Sequence, residues 1–245
     1  MRSRTRDKAG FSEASYKKHH LLWRAGRAQT SAYHVTHPQA RCVIIDMHAG
    51  AGEGIALPQL DFFREDVSFP TATLATRLSD IVQGDVILCE RKVKERQQLT
   101  QKFPHAVILA DHADIPEQLG HGYDWALVLN DPCGYSEHGI ETMQQIASQV
   151  ATDWLIVFNE GSLMRILGMR PVVTQQEIPF VARVRAARAL YAWMAEPQAW
   201  AARLRARHMA RTVLIPASDG FRYRIFVLSR MLSDAVKRVP WEIVL

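Results

Sequence analysis

Short apolar runs alternate with amphipathic or charged stretches over the first two thirds of the chain. The apolar runs cover residues 42–47, 85–90, 106–110, 125–130 and 154–159. Runs this short and continuous, separated by helical patterns such as 91–103 and 137–151, predict parallel strands that are buried on both faces. We therefore expect an α/β fold built from βαβ units.

The pattern changes after residue 175. Residues 176–210 show no strand signal and are rich in Ala, Arg and Trp, which predicts helices. Two further apolar runs flank the turn residues 218–220, and this arrangement predicts a C-terminal antiparallel hairpin. We expect three parts: a basic N-terminal extension packing on the core (1–40), the core itself (41–175 and 211–245) and a basic helical insert (176–210).

Charge is unevenly distributed along the chain. The formal net charge is +5, yet residues 1–30 hold eight Lys and Arg against two acidic residues, and residues 181–211 hold seven Arg against one Glu. Localised basic patches are typical of proteins that bind a polyanion, and here they favour nucleic acid. The alternative for each patch is a solvated helix face or a basic terminal segment.

Composition narrows the class of protein. Hydrophobic residues make up 48% and charged residues 22%, which is ordinary globular composition and excludes disorder and coiled coil. The cysteines at 42, 89 and 133 lie far apart and lack disulfide or zinc spacing, so we expect a reducing cytoplasm and no metal. No apolar run reaches membrane-spanning length, and we expect no membrane partner.

A glycine-rich loop follows the first predicted strand, with Gly50, Gly52 and Gly54 at alternate positions. Because glycine has no Cβ, such a loop can turn tightly and let a ligand approach the backbone. It lies at the carboxyl end of a parallel strand, where open α/β sheets bind ligands. The spacing departs from the dinucleotide motif G-x-G-x-x-G, and the Lys and Ser/Thr of a P-loop are absent.

Acidic residues follow the next two strands in order. Glu90 ends the second strand, where a carboxylate can accept both hydroxyls of a ribose, and Asp111 follows the third, where it can accept an adenine amine. Glu90 alone could be an ordinary charge at a strand end. The ordered set of loop and two acids indicates a ligand that contains adenosine.

This series resembles the cofactor site of class I S-adenosylmethionine-dependent methyltransferases, over about residues 40–160 and 210–230. The resemblance implies a Rossmann-like fold with a mostly parallel seven-stranded sheet and a C-terminal antiparallel hairpin. It implies S-adenosylmethionine as cofactor. The cofactor-binding residues that we predict are Asp46, His48, Ala49, Gly50, Gly52, Gly54, Glu90, Asp111, His112 and Asn130.

The segment after the fourth strand reads Asn-Asp-Pro-Cys-Gly-Tyr over residues 130–135. It resembles the Asp/Asn/Ser-Pro-Pro-aromatic motif of amino-methyltransferases, with its aromatic residue one place late. With its aromatic residue one place late, the segment resembles the corresponding segment of the three-Cys-motif partner proteins. The resemblance implies that Asp131 and the Pro132 carbonyl accept the amine hydrogens and that Tyr135 stacks on the base. The alternatives are a plain turn after a strand, and a Cys133 nucleophile like that of cytosine C5 enzymes.

We therefore expect a methyltransferase that acts on a nucleobase amine, with adenine N6 in DNA as the preferred target. The alternatives are an RNA adenine N6 methyltransferase and a non-catalytic nucleic-acid-binding module on the same scaffold. A nucleotide-dependent oxidoreductase is disfavoured by the glycine spacing. The residues expected to contact nucleic acid are Lys17, Lys18, Arg183, Arg185, Arg188, Arg203, Arg205 and Arg207.

Overall fold

A computed structural model describes residues 13–52, 70–120, 122–132, 139–159, 201–205, 208–216 and 222–229. Its helices are α1 (Glu13–Thr36), α2 (Thr71–Val82), α3 (Val93–Lys102), α4 (Ile115–Leu119) and α5 (Ile140–Gln149), with a 3₁₀ turn at His112–Asp114. Its strands are β1 (Cys42–Asp46), β2 (Asp85–Cys89), β3 (Val107–Leu109), β4 (Trp125–Asn130), β5 (Ala151–Asn159), β6 (His208–Pro216) and β7 (Arg222–Ser229).

The strands of the described residues form one seven-stranded sheet in the order β3-β2-β1-β4-β5-β7-β6. The first five strands in chain order pair in parallel with one another, whereas β7 lies antiparallel to both β5 and β6. The predicted mostly parallel sheet with an antiparallel C-terminal hairpin is thus confirmed. It is the arrangement that the resemblance to class I methyltransferases implies.

The central strands are buried because helices cover both faces of the sheet. Successive side chains of a strand point to opposite faces, and Ile44 and Ile45 of β1 belong to two different apolar clusters. The first cluster includes Leu21 of α1 and Leu78 of α2, and the second includes Met143 of α5. This two-sided burial explains why the strands read as continuous apolar runs.

The structure differs from the sequence prediction at the hairpin and at the fifth strand. β6 begins at His208, so the last residues of the stretch 176–210, predicted to be helical, belong to a strand that pairs with β7. The fifth strand begins at Ala151 rather than at residue 154, and α5 ends correspondingly at Gln149. The additional strand residues include Thr152 and Asp153, whose polar side chains hide the strand pattern although both are buried. Asp153 accepts a 2.7 Å hydrogen bond from the hydroxyl of Ser229, which satisfies the buried carboxylate.

Most of the predicted basic insert lies outside the described residues, so the insert and the proposed domain division stay predictions. Within residues 201–205, Ala201 and Leu204 are buried against the second apolar cluster, whereas Arg203 and Arg205 are exposed. Among the helices that the structure describes, none is long and apolar enough to cross a membrane.

Candidate functional site

The loop after β1 is fastened to both neighbouring strands. The Met47 N–H donates to the Leu129 carbonyl of β4 at 3.0 Å, and the Ala49 N–H donates to the Cys89 carbonyl of β2 at 2.8 Å. These bonds continue the sheet pairing past the end of β1. The loop is therefore held at the carboxyl edge of the sheet, between the ends of β2 and β4.

The glycines of this loop have different surroundings. Gly50 and Gly52 both adopt left-handed backbone conformations, with φ of 60° and 62°, which L side chains rarely adopt. A Cβ on Gly50 would meet no atom of the described residues within 4 Å, whereas one on Gly52 would lie 3.0 Å from Phe103 and 3.1 Å from Leu99. The missing side chain of Gly52 thus makes room for residues at α3, and contact of Gly52 with the ligand stays a prediction. Gly54 lies outside the described residues.

An open cleft of about 210 Å³ lies beside the loop. Its walls are Met47, His48, Gly50, Cys89, Glu90, Arg91, Lys92, Glu95, Ala110 and His112. Glu90 is half-buried, and its Oε1 accepts a 2.8 Å hydrogen bond from the backbone N–H of Lys92. Glu90 thus lines the cleft with a carboxylate oriented by the backbone, and its contact with a ribose stays a prediction.

Asp111 lies at the rim of the cleft rather than in its wall, although its neighbours Ala110 and His112 line it. Its Oδ1 accepts the Ala113 N–H at 3.0 Å and so caps the 3₁₀ turn. That hydrogen bond holds the pKa of Asp111 below its usual value, with His112 and Arg91 adding to the effect. Contact of Asp111 with an adenine stays a prediction.

Two histidine rings meet in the wall of the cleft. The rings of His48 and His112 pack edge to face, with centroids 5.7 Å apart. The Nδ1 atom of His112 lies 3.2 Å from the hydroxyl of Thr142 on α5. A Cβ on Gly139 would lie 2.6 Å from the His112 ring, so this glycine permits the close packing. His48 of the loop and His112 thus form a polar part of the cleft wall.

Asp46 is fully buried beneath the loop. Its Oδ1 accepts the His48 N–H at 3.0 Å, which fixes the start of the loop. Burial raises the pKa of Asp46 to about 7, while Thr71 and the His48 N–H oppose that rise. Asp46 therefore changes its charge near neutral pH, and its first role is to shape the loop.

Asp131 follows β4 directly, and its side chain is only 8% exposed. The Nζ atom of Lys18 lies 2.5 Å from its Oδ2, and the Nε2 atom of His19 lies 3.9 Å from the same oxygen. Burial lowers the pKa of His19 to about 3, with Lys18 adding to the shift and Asp131 opposing it. His19 is therefore neutral at pH 7, and Lys18 is the cation paired with Asp131.

This pairing corrects one expectation. Lys18 is buried on the sheet side of α1 and contacts Asp131, so it does not present its charge to a phosphate backbone. Its ammonium also lies 5.0 Å from the centre of the Tyr223 ring on β7. Lys17 is half-buried on the same helix, and its contact with nucleic acid stays a prediction.

Asn130 has a packing role rather than a place in the cleft. It is fully buried, and its Nδ2 donates to the Sδ atom of Met143 on α5 at 3.0 Å. The cofactor contact predicted for it is not supported by this placement. Pro132 is buried directly after Asp131. Residues 133–138 lie outside the described part of the chain, and with them Tyr135.

Of the predicted nucleic-acid contacts, Arg203 and Arg205 are described and exposed. The others in the insert lie outside the described residues, namely Arg183, Arg185, Arg188 and Arg207. Among the described residues no group of His, Cys, Asp and Glu could hold a metal ion.

Sequence reasoning missed that Lys18 and His19 lie beside Asp131 and that Tyr223 contacts the Lys18 ammonium. A signal for Lys18 was present, because Leu21, Leu22 and Ala25 follow it at the i+3, i+4 and i+7 spacing of one helix face. Those residues are buried, so Lys18 had to lie on the buried face as well. Tyr223 carries no comparable signal, because its place depends on the pairing of β7 with β5.

No family model and no curated protein matches the chain. Among solved structures, protein LPL1258 from Legionella pneumophila is similar over 91% of this chain and 88% of its own, at 13% identity and a TM-score of 0.48. The plantazolicin methyltransferase BpumL in complex with SAH is similar over 89% and 86%, at 13% identity and a TM-score of 0.42. A fibrillarin/Nop5p complex is similar over 78% and 73%, at 11% identity and a TM-score of 0.42. Because these scores lie below 0.5, the function proposed below rests on this chain's own residues.

Proposed function

We propose that the protein is an S-adenosylmethionine-dependent methyltransferase that acts on the exocyclic amine of a nucleobase, with adenine N6 in DNA as the preferred target. The observation that carries the proposal is the position of β1 between β2 and β4. This order brings the loop after β1, Glu90 and Asp131 to one carboxyl edge of the sheet. Open α/β sheets bind their ligands at that edge.

The lining of the cleft suits the chemistry of the proposed cofactor. Gly50 borders the cleft without a side chain, and a Cβ there would meet none of the described residues within 4 Å. Glu90 offers a carboxylate to ribose hydroxyls, and Met47 and Cys89 offer apolar surface. When bound, S-adenosylmethionine supplies a methyl group activated by its sulfonium charge.

The amine would be received at the end of β4. An exocyclic amine is a poor nucleophile because its lone pair is delocalised into the ring. Acceptors for both of its hydrogens favour a pyramidal nitrogen, and Asp131 and the Pro132 carbonyl are consecutive groups there. As the nitrogen gains positive charge, its hydrogen bond to the Asp131 carboxylate strengthens, which stabilises the transition state.

The proposed polymer substrate follows from the charge distribution. Arg203 and Arg205 are exposed beside the core, within a segment that holds seven Arg against one Glu. Such a segment suits contact with a phosphate backbone. A base inside duplex DNA must leave the stack to reach Asp131, and aromatic residues near the site would support the flipped base.

Incubation with radiolabelled cofactor and separate DNA and RNA pools, followed by nucleoside analysis, tests the proposal. We expect label on N6-methyldeoxyadenosine from the DNA pool, and none when Asp131→Ala replaces the wild type. Label in the RNA pool alone would show that RNA, rather than DNA, is the substrate. Tight DNA binding without transfer to either pool would instead support the non-catalytic binding module.

A further inference from the structure

The ion pair between Lys18 and Asp131 joins the N-terminal helix to the proposed acceptor of the amine. Both side chains are largely buried, at 11% and 8% exposure, and Nζ lies 2.5 Å from Oδ2. Removal of one partner from a buried pair leaves an uncompensated charge, which is strongly unfavourable. Lys18 therefore compensates the buried negative charge of Asp131.

Asp131 is surrounded by other titratable groups. Lys18 and His19 reach it from α1, Asp46 on β1 interacts with it electrostatically, and Tyr223 on β7 contacts the Lys18 ammonium. His19 is neutral at pH 7, and the negative charge of Asp131 disfavours ionisation of Asp46. Carboxylates gathered at one low-dielectric edge tend to bind protons, unless a cation holds them ionised.

We propose that Lys18 is a positioning residue that keeps the Asp131 carboxylate ionised and oriented for the substrate amine. This inference rests on the proposed function. An ionised carboxylate only accepts hydrogen bonds, whereas a protonated one carries a donor that would oppose the N–H groups of the amine. Lys18 and His19 both approach Oδ2, so Oδ1 is the oxygen that receives the amine.

The variant Lys18→Met removes the charge and keeps a side chain of similar length. We expect kcat to fall roughly tenfold or more, with unchanged cofactor affinity, because the lost interaction acts on the reacting amine. We also expect the acidic limb of the kcat profile to move to higher pH. Lys18→Arg retains the charge and should keep the limb near its wild-type position. The control is Arg27→Met, which removes an exposed charge from the same helix.

The background Asp131→Asn separates a role through Asp131 from a general structural role. An asparagine carries no charge and does not titrate, so it needs no cation. In that background, Lys18→Met should lower kcat by less than twofold and leave the pH profile unchanged. An equal loss in both backgrounds would show that Lys18 acts elsewhere, and wild-type kcat with a wild-type profile in the single variant would overturn the inference.

A stability measurement tests the electrostatic claim without any activity. At pH 8, Lys18→Met should raise the unfolding equilibrium constant by roughly tenfold or more, because a buried carboxylate has lost its partner. The effect should be smaller at pH 5 than at pH 8, because uptake of a proton by the variant as the pH falls relieves the unpaired buried charge. Asp46 also titrates in this window and interacts with Asp131, so the comparison is repeated in the Asp46→Asn background, in which residue 46 does not titrate.

The activity and stability measurements together distinguish failure of the proposed function from failure of the inference about Lys18. If the wild type methylates no nucleobase, the proposed function fails, and urea unfolding at pH 5 and pH 8 still decides whether Lys18 keeps Asp131 ionised. An effect of Lys18→Met that is equal at both pH values, or unchanged by Asp131→Asn, would refute that claim.

Discussion

Valine substitutions at Gly50 and Gly52 should differ in what they impair most, which is ligand binding at Gly50 and stability at Gly52. Both residues have φ near +60°, so each variant incurs a backbone strain of roughly 1–2 kcal/mol. At Gly52 the new side chain also collides with Phe103 and Leu99, which lie 3.0 and 3.1 Å from the position of a Cβ. Overpacking of this kind costs roughly a further 1–3 kcal/mol.

At Gly50 the new side chain instead enters open space beside the cleft. We expect calorimetry to show that Gly50→Val no longer binds S-adenosylmethionine. Urea unfolding should show that this variant is folded and only modestly destabilised. Gly52→Val should be the less stable of the two variants by about 1–3 kcal/mol. Wild-type cofactor affinity in Gly50→Val would refute the placement of the cofactor, and equal stability of the variants would refute the packing role of Gly52.

Three further predictions follow from the site. Asp131→Ala should lower turnover by roughly two orders of magnitude or more with nearly unchanged cofactor affinity, as initial rates and calorimetry would show; a fully active variant would contradict the amine-acceptor role. Because burial raises the pKa of Asp46 to about 7, its contribution to stability is complete below its unfolded-state pKa and is lost as pH rises through 7. Urea unfolding should therefore show Asp46→Asn gaining stability relative to the wild type from pH 5 to pH 8, and a constant difference would argue against that shift. Replacement of Arg203, Arg205 and Arg207 together by Ala should weaken DNA binding and lower the slope of log K against log salt by about one unit for each lost phosphate contact. Filter binding with a melting control would test this, and unchanged binding in a normally folded variant would leave the patch as a solvated surface.

The parallel core could be predicted because two-sided burial leaves a direct mark on the sequence. Strands β1 and β4 are apolar at nearly every position, since helices cover both faces of the sheet. The start of β5 could not be predicted, because Asp153 is buried through a hydrogen bond with Ser229, 76 residues away. A local pattern carries no information about such a distant partner.

In the candidate site, too, some positions could be predicted from the sequence and others could not. Glu90 was predicted at the cleft because its position after β2 follows from strand order alone. The packing role of Gly52 depends on Phe103, which follows α3. The spacing of the glycines in the loop does not reveal that Gly52 must leave room for this residue. The sequence predicts Lys18 on a basic surface, whereas in the structure it pairs with Asp131. That position results from the packing of α1 on the sheet.

The central claim is transfer of a methyl group to a nucleobase amine held by Asp131. Its most direct test is mass spectrometry of nucleosides after incubation of DNA with a cofactor that carries a trideuterated methyl group. The account predicts deuterated N6-methyldeoxyadenosine with the wild-type protein and its near absence with Asp131→Ala. Deuterium on a different atom, or equal product from both proteins, would contradict it.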